Sequence, residues 1–203
     1  MADQTGLRER KKAATKAALS QATLRLSVEK GGIDAVIADD IAAAAGVSTR
    51  TFHNYFPSKE AALLYDFNEL VAQMIGALRE RVRDRPVWDA LRDACISMRI
   101  DERFDLELLQ CREQLIHGSP SLISYQATQF VAFFTEALGI VAEATGSDED
   151  DMYPRLVLGA ALLSMKVANE HWLAHPDRPL DEVIAEAFAN FETGLARPHD
   201  HAP

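Results

Sequence analysis

The stretch from Asp39 to Lys59, DDIAAAAGVSTRTFHNYFPSK, constrains the fold of this 203-residue chain more than any other. Ile41, Ala42 and Ala45 recur at helical spacing, which predicts a short helix with one apolar face. Gly46 follows where the end of a helix favours a residue with positive φ. The stretch therefore begins with a short helix that ends in a tight turn.

A second helix is predicted directly after the turn. Ser48 is a favourable N-cap, and Phe52 and Phe56 lie one turn apart on the apolar side of this helix. Pro57 ends the helix, and Ser58 caps the next one. The polar residues fall largely on the outer side: Thr49, Arg50, His53 and Asn54. Such a pair of helices is a helix-turn-helix, a shape that fits the major groove of DNA, although an ordinary helical hairpin with a polar surface is the alternative.

The same run resembles the tetracycline-repressor family of transcription regulators. The resemblance is carried by Asp40-Ile41-Ala42, Ala45-Gly46-Val47-Ser48 and Phe56-Pro57-Ser58-Lys59-Glu60. It implies an all-α protein of about nine helices, with an N-terminal three-helix DNA-binding head and a C-terminal helical body that binds ligand and dimerises. We expect the head at residues 7–58, the body at 59–197, and flexible termini at 1–6 and 198–203.

Charge is distributed unevenly along the chain, whose formal net charge is −10. Residues 1–59 hold nine Lys and Arg against six Asp and Glu, whereas the remainder holds 12 against 25. This asymmetry indicates a basic nucleic-acid module joined to an acidic body that repels DNA.

The first helix, predicted from Leu7 to about Lys30, begins with a basic cluster of Arg8, Arg10, Lys11 and Lys12. Cations at a helix start oppose the macrodipole, so local stability does not explain them. Contact with DNA phosphates does, although a solvated face is the alternative. The apolar side of this helix is predicted from the i+4 series Ala14, Ala18, Ala22 and Leu26.

The predicted DNA contacts combine this cluster with the second helix of the motif. Arg50 is the best candidate for a guanine, because its guanidinium can donate two parallel bonds to O6 and N7. In the resembling family a phosphate-binding threonine stands at the start of the first helix of the motif, where this chain has Val36 and Ile37. Asp39 or Asp40 is expected to cap that helix instead. The full set is Arg8, Arg10, Lys11, Lys12, Ser48, Thr49, Arg50, Thr51, His53, Asn54, Tyr55 and Lys59, of which Lys59 matches the family's phosphate-binding lysine.

The rest of the chain is predicted to be helical, with no convincing strand pattern. One long helix is expected from Ser58 to about Arg83. Further helices are expected at about 87–100, 104–117, 121–145, 150–174 and 181–196, separated by Gly-, Pro- and Asp-containing segments.

The body concentrates aromatic and sulfur-containing residues that fit either an ordinary core or an apolar effector pocket. The resemblance implies such a pocket, and an arginine beside it would suit a carboxylate or acyl-thioester effector. The candidate ligand-binding residues are Trp88, Cys95, Met98, Phe104, Cys111, Arg112, Tyr125, Phe130, Phe133, Phe134 and Met165.

The last two helices look apolar over more of their circumference than outer helices of a monomer require. We interpret them as half of a four-helix homodimer interface formed by Leu158, Leu162, Trp172, Phe188 and Phe191, with a deeper monomer core as the alternative. A two-fold dimer predicts a palindromic operator on double-stranded DNA.

Other chemistry is weakly indicated. His171 and His175 lack an HExxH context, and no cofactor, metal or catalytic site is predicted. Cys95 and Cys111 are expected to be reduced in a cytoplasmic protein with no membrane span. Two rivals remain open: a helix-turn-helix regulator controlled by a protein partner instead of a small effector, and an all-α enzyme that uses His171, His175 or Cys111.

Overall fold

A computed structural model describes residues 2–97 and 106–195. The described residues form ten α-helices and one 3-10 turn, with no strand, which confirms the all-α prediction. The 3-10 turn covers Ile33–Ala35. The helices are α1 (Ala2–Glu29), α2 (Ala38–Ala44), α3 (Thr49–Tyr55), α4 (Lys59–Leu63), α5 (Tyr65–Arg81), α6 (Val87–Ile96), α7 (Leu106–Gly118), α8 (Pro120–Thr145), α9 (Met152–Ala174) and α10 (Leu180–Glu192).

The helix expected from Ser58 to Arg83 is divided in two at Leu64. Leu63 and Leu64 are both buried, although neighbouring residues of a straight helix point about 100° apart. The break turns both side chains towards the same small cluster, which also contains Ile116 and Leu122. It accounts for the extra helix relative to the nine expected.

Helix α1 begins at Ala2 instead of near Leu7, and its buried face differs from the predicted alanine series. Ala14 and Ala18 are exposed, whereas Leu19, Ala22 and Thr23 are buried. The buried face includes hydroxyl residues because each bonds a carbonyl one turn back: the Thr23 hydroxyl donates to Leu19 O at 2.8 Å and that of Ser27 donates to Thr23 O at 2.8 Å.

Glycine ends α1 and α2, as predicted from the sequence. Gly31 and Gly46 have φ of 73° and 69°, a region that other residues enter only with strain. After α2, the Gly46 N–H donates to Ala43 O at 3.1 Å and the Val47 N–H donates to Ala42 O at 2.9 Å. These two bonds satisfy carbonyls that the helix end leaves unpaired and set the direction of the chain into α3.

The chain divides into two compact units. The first unit comprises residues 2–69 and 106–131 of the described chain, and the second comprises 70–97 and 132–195. In the first unit, Leu19, Ile41, Phe52 and Phe56 form the main core. In the second unit, α6, α9 and α10 pack around a core that contains Leu91, Leu158 and Phe188.

Among the described helices, α8 alone is long and apolar enough to cross a membrane. A single helix of this composition is weak evidence, because helices of soluble proteins meet the same criterion. Serine, threonine and glutamine interrupt the apolar residues of α8. That the chain lacks a membrane span stays a prediction.

Candidate nucleic-acid interface

Helix α3 is held on the core of the first unit by its apolar side. Phe52 and Phe56 are almost completely buried, and their ring centroids lie 6.1 Å apart. Tyr65, at the start of α5, places its ring edge-on to Phe56 with a centroid distance of 5.4 Å. The aromatic packing fixes which side of α3 faces outward.

The outward side of α3 carries the predicted base-reading residues. Arg50, His53 and Asn54 are exposed, whereas Thr49 and Tyr55 are half-buried. The structure therefore brings a guanidinium, an imidazole and an amide together on one polar surface. These groups carry hydrogen-bond donors and acceptors that can pair with those on the edges of bases in the major groove.

The hydroxyl groups at the start of α3 bond within the protein. Ser48 is the N-cap, as predicted, and its Oγ accepts from the Thr51 N–H at 3.1 Å. The Ser48 and Thr51 hydroxyls are also 2.8 Å apart. The Thr49 hydroxyl donates to Asp39 Oδ1 at 2.7 Å. These three residues position α3, and their contact with DNA stays a prediction.

Neither Asp39 nor Asp40 caps α2, contrary to expectation. The N-cap is Ile37, which makes no side-chain cap bond and is 57% exposed. Asp39 accepts from Thr49 instead, and Asp40 forms an ion pair with Lys30. Both carboxylates lie within the first turn of the helix, where the macrodipole stabilises negative charge without a cap.

Lys59 has partners that the sequence did not reveal. Its Nζ donates to Ile33 O at 2.8 Å and to Val36 O at 3.3 Å, and it lies 4.0 Å from Asp34 Oδ1. The lysine thereby ties the start of α4 to the 3-10 turn that precedes α2. A phosphate contact by Lys59, which stays a prediction, would have to share the ammonium group with these carbonyls.

The basic cluster lies along the first half of α1, and the side chains of Arg8, Arg10, Lys11 and Lys12 are exposed. Further along the helix, the Lys16 ammonium lies 4.9 Å from the centroid of the Tyr65 ring. Lys16 therefore connects α1 to the aromatic residues that support α3.

Two hydrogen bonds in the first unit join segments that are distant in sequence. The Ser20 hydroxyl donates to Asp66 Oδ2 at 3.1 Å, and the Ser121 hydroxyl donates to Glu60 Oε1 at 3.1 Å. Burial would raise the pKa of Glu60, but hydrogen bonds from its own backbone and from the Ser58 and Ser121 hydroxyls lower it below the usual range. Helix α8 is thus linked to the helix that follows α3.

Arg112, a predicted ligand-binding residue, lies in the first unit with its side chain 12% exposed, and its Cζ is 5.0 Å from the centroid of the Phe67 ring. Burial lowers the pKa of its guanidinium, and the nearby carboxylates of Glu113 and Asp66 oppose that shift. Its Nε is buried without a hydrogen-bond partner. Cys111, Tyr125 and Phe130 belong to the same unit.

The second unit contains an apolar cavity of about 20 Å³. Of the predicted ligand-binding residues only Cys95 and Phe133 line it, with Met74, Ile75, Leu78, Leu91, Ala94, Ala137, Leu158, Ala161 and Leu162. Trp88, Phe134 and Met165 instead pack against the core of this unit, and Met98 and Phe104 lie outside the described residues. The cavity has room for about one water molecule, so it is not an open effector pocket.

The residues predicted to form the dimer interface lie mostly inside the second unit. Leu158 and Phe188 are buried in its core, where a partner could not reach them. Phe191 lies 6.0 Å from Trp88 between ring centroids, and the Trp172 Nε1–H donates to Arg178 O at 3.1 Å. The opposite side of α9 bears five apolar residues, each at least half exposed: Met152, Tyr153, Leu156, Leu163 and Val167, here called the α9 stripe.

The α9 stripe could have been found in the sequence. Leu156, Leu163 and Val167 are separated by seven and four residues, so they share one helix face, whereas Leu158 and Ala161 belong to the other. Both faces of α9 are apolar, and hydropathy alone does not identify which one the protomer buries.

The histidine pair and the two cysteines are the groups considered for metal or thiol chemistry. The rings of His171 and His175 stack with centroids 4.8 Å apart, and the described residues contain no group of three or more potential metal ligands. Both cysteines are free, and burial raises the pKa of the Cys95 thiol to about 12.

Both parts of the chain match families of transcription regulators, and one relative is similar along almost its whole length. Residues 14–65 match the family described as bacterial regulatory proteins, tetR family, and residues 85–196 match the MftR C-terminal domain. The mycofactocin biosynthesis transcriptional regulator MftR of Mycobacterium tuberculosis is 30% identical over 188 residues, 93% of this chain and 94% of that protein.

Two solved structures are similar in fold. NalD, the secondary repressor of the MexAB-OprM efflux pump of Pseudomonas aeruginosa, has a TM-score of 0.63 and 22% identity over 92% of this chain and 99% of NalD. The repressor FadR of Thermus thermophilus, solved in complex with lauroyl-CoA, has a TM-score of 0.51 and 25% identity over 93% of this chain and 98% of FadR.

Proposed function

Because this chain belongs to the tetracycline-repressor family of bacterial transcription regulators, we propose that it is a cytoplasmic repressor that binds a palindromic operator and is released by a small effector. Its relatives regulate transcription and are not enzymes. The observation that carries the proposal is the exposed polar side of α3, set on a buried aromatic core in the same compact unit as the exposed basic start of α1.

In this proposal α3 enters the major groove and α1 approaches the phosphates. Arg50 reads a guanine through two parallel hydrogen bonds, and His53 and Asn54 contact neighbouring bases or phosphates. Arg8, Arg10, Lys11 and Lys12 neutralise phosphates and release counterions. The acidic remainder of the chain repels DNA, so binding is confined to the basic residues.

The homodimer is proposed to form through the α9 stripe. Its five apolar residues are too exposed for a stable monomer surface, and Gly159 in the same helix allows a partner helix to approach closely. A two-fold dimer carries two copies of α3 related by symmetry, which is why a palindrome is expected.

The effector is proposed to enter the apolar cavity of the second unit and enlarge it. The lining is entirely apolar apart from the Cys95 thiol, which suits a hydrocarbon chain. FadR, which shares the fold, was solved with lauroyl-CoA. An acyl effector that binds the enlarged state more tightly would shift the protein towards that state and lower its affinity for the operator.

The size of the cavity also favours a second candidate, a regulator without a small-molecule effector. A volume of about 20 Å³ is far below that of an acyl chain. In this alternative the core stays closed, and a protein partner or the concentration of the regulator itself controls operator binding.

The first experiment selects bound fragments from random DNA with the full-length protein. It then measures the affinity for the most enriched fragment as a function of salt concentration. We expect a palindrome and a steep loss of affinity with salt, because several phosphates are neutralised. Failure to enrich a palindrome, or an affinity nearly independent of salt, would contradict the proposal.

A second measurement separates the two candidates on the selected operator. Titration with lauroyl-CoA is expected to release the DNA, whereas the effector-free alternative predicts no release. Ala161→Val, which adds two methyl groups to the buried lining of the cavity, should weaken release while leaving operator affinity intact. Ala160→Val on the same helix is the control, because it makes the same change at a residue that does not line the cavity.

A further inference from the structure

An exposed ion pair joins α5 and α8 beside the apolar cavity. Arg79 Nη2 lies 2.9 Å from Glu136 Oε1, and the two side chains are 55% and 51% exposed. Both residues belong to the second unit, as does the whole lining of the cavity. No feature of the DNA-binding surface uses this pair.

The pair lies over the seam where α5 and α8 form one wall of the cavity. Ile75 lines the cavity one turn before Arg79 on α5, and Phe133 lines it one turn before Glu136 on α8. Residues three or four apart share a helix face, so the ion pair and these apolar side chains lie along the same edge of the seam. Leu78 and Ala137, directly adjacent to the pair in sequence, also line the cavity.

An effector can use this cavity only if its walls move apart. On its solvent side the seam between α5 and α8 is bridged by an exposed ion pair, an interaction that contributes little to stability. Opening the seam returns both charged groups to water and separates buried apolar side chains such as Leu78 and Ala137, which the hydrocarbon chain of an effector would cover again. The same opening frees the guanidinium of Arg79 at the rim of an apolar space.

We propose that Arg79 anchors the anionic head group of an amphipathic effector whose hydrocarbon chain occupies the cavity. Arginine offers paired N–H donors that match a carboxylate or phosphate. Glu136 occupies this site when no effector is bound, and the incoming anion displaces it. The proposal rests on the acyl-type effector of the proposed function and adds the charge and location of its head group.

The experiment measures binding of three probes to the full-length protein by calorimetry: laurate, lauroyl-CoA and 1-dodecanol. Laurate offers a carboxylate, lauroyl-CoA offers phosphates, and dodecanol has a similar chain without charge. The variants are Arg79→Gln, Arg79→Lys and Glu136→Gln. Arg83→Gln serves as the control, because it removes an exposed arginine of the same segment that follows the end of α5.

Arg79→Gln is expected to weaken the anionic probes by about tenfold and to leave dodecanol within about twofold, because a charge-assisted hydrogen bond is lost. Arg79→Lys should retain part of the affinity, and Glu136→Gln should strengthen anion binding by removing the competing carboxylate. Arg83→Gln should change none of the three. A loss confined to laurate identifies a carboxylate as the head group, and a loss confined to lauroyl-CoA identifies the phosphates.

Two results would overturn the inference but not the acyl effector of the proposed function. The first is that Arg79→Gln binds both anionic probes as tightly as the wild-type protein does. The second is that Arg79→Gln loses as much affinity for dodecanol as for the anions, which would mean that the substitution alters the cavity itself. Absence of binding of all three probes to the wild-type protein would refute the inference together with the acyl effector of the proposed function. Thermal unfolding of each variant identifies any general loss of structure.

Discussion

The hydroxyl of Thr49 donates a 2.7 Å hydrogen bond to the carboxylate of Asp39. The bond joins the first turn of α3 to the first turn of α2, across the glycine turn between them. Gly46 and Val47 donate backbone bonds that close the turn, and Phe52 anchors α3 in the core. The Thr49–Asp39 bond adds a direct link between the two helices and helps to set the angle at which the polar side of α3 is presented.

Replacement of Thr49 by valine should lower operator affinity more than it lowers stability. The partners are partly exposed, so we expect a loss of about 1 kcal/mol in the free energy of unfolding. Operator affinity should fall about tenfold because α3 gains freedom that binding must remove. Thr128→Val is the control, since the Thr128 hydroxyl bonds only a carbonyl of its own helix. Equal operator affinity of the two variants would contradict this role.

The Ser48 cap should contribute to stability independently of DNA. Ser48→Ala removes the acceptor of the Thr51 N–H and should lower the free energy of unfolding by about 1 kcal/mol, whereas Ser48→Asn should retain most of it. Chemical denaturation of both variants checks this. Ser58→Ala, which removes the equivalent cap of α4, should cost a similar amount.

The two cysteines should differ sharply in reactivity. The pKa of Cys95 is raised to about 12, so at pH 8 only about one Cys95 in ten thousand is a thiolate, and the side chain is also buried. Ellman's reagent should therefore modify only the half-buried Cys111 in the native protein, and both thiols after denaturation. Cys111→Ser should abolish the native reaction and Cys95→Ser should leave it unchanged; a native reaction that survives Cys111→Ser would contradict the burial of Cys95.

The same pKa predicts a loss of stability in alkali. The folded-state pKa lies above the value of an unfolded cysteine, so the folded state keeps a proton that the unfolded state releases. The contribution is complete below about pH 8.5 and is lost as the pH rises towards 12. Cys95→Ala should be less sensitive to alkali than the wild-type protein, as measured by denaturation between pH 8 and 10.

The helix-turn-helix was predictable because each of its signals is local. Gly46, Ser48 and Ser58 act on backbone groups within a few residues, and Phe52 and Phe56 are fixed by helical spacing. The partners of Asp39 and Lys59 were not predictable, because each depends on where a different segment lies after folding. A carboxylate in the first turn of a helix could cap it or bond a neighbouring helix, and sequence does not decide between the two.

In the second unit, sequence predicts the helices but not which of their faces are buried. Its apolar residues outnumber the positions that one protomer buries, so hydropathy predicts helices without assigning their faces. Hydropathy therefore predicts an interface role for Leu158 and Phe188, which form the core, and does not distinguish them from the exposed Leu156 and Leu163. The aromatic residues considered for the pocket behave similarly: Trp88 packs against Phe188 and Phe191, with ring centroids 4.8 and 6.0 Å apart. An aromatic residue can line a pocket or pack against another ring, and hydropathy does not decide between the two.

Leu156 and Leu158 provide a matched pair that tests the proposed dimer. They are two residues apart on α9, but Leu156 is 62% exposed on the α9 stripe and Leu158 is 1% exposed in the core. Leu156→Asp places a charge in the proposed interface and should convert dimers to monomers in sedimentation experiments, with the helical content retained. Leu158→Ala should lower the free energy of unfolding by about 2–5 kcal/mol through the cavity it creates, without a specific effect on association once measured well below the unfolding temperature. If Leu156→Asp sediments as a dimer at micromolar concentration, the stripe is not the interface. Leu163→Asp, seven residues further along the same face, should repeat the effect of Leu156→Asp, because both side chains would meet the partner's helix.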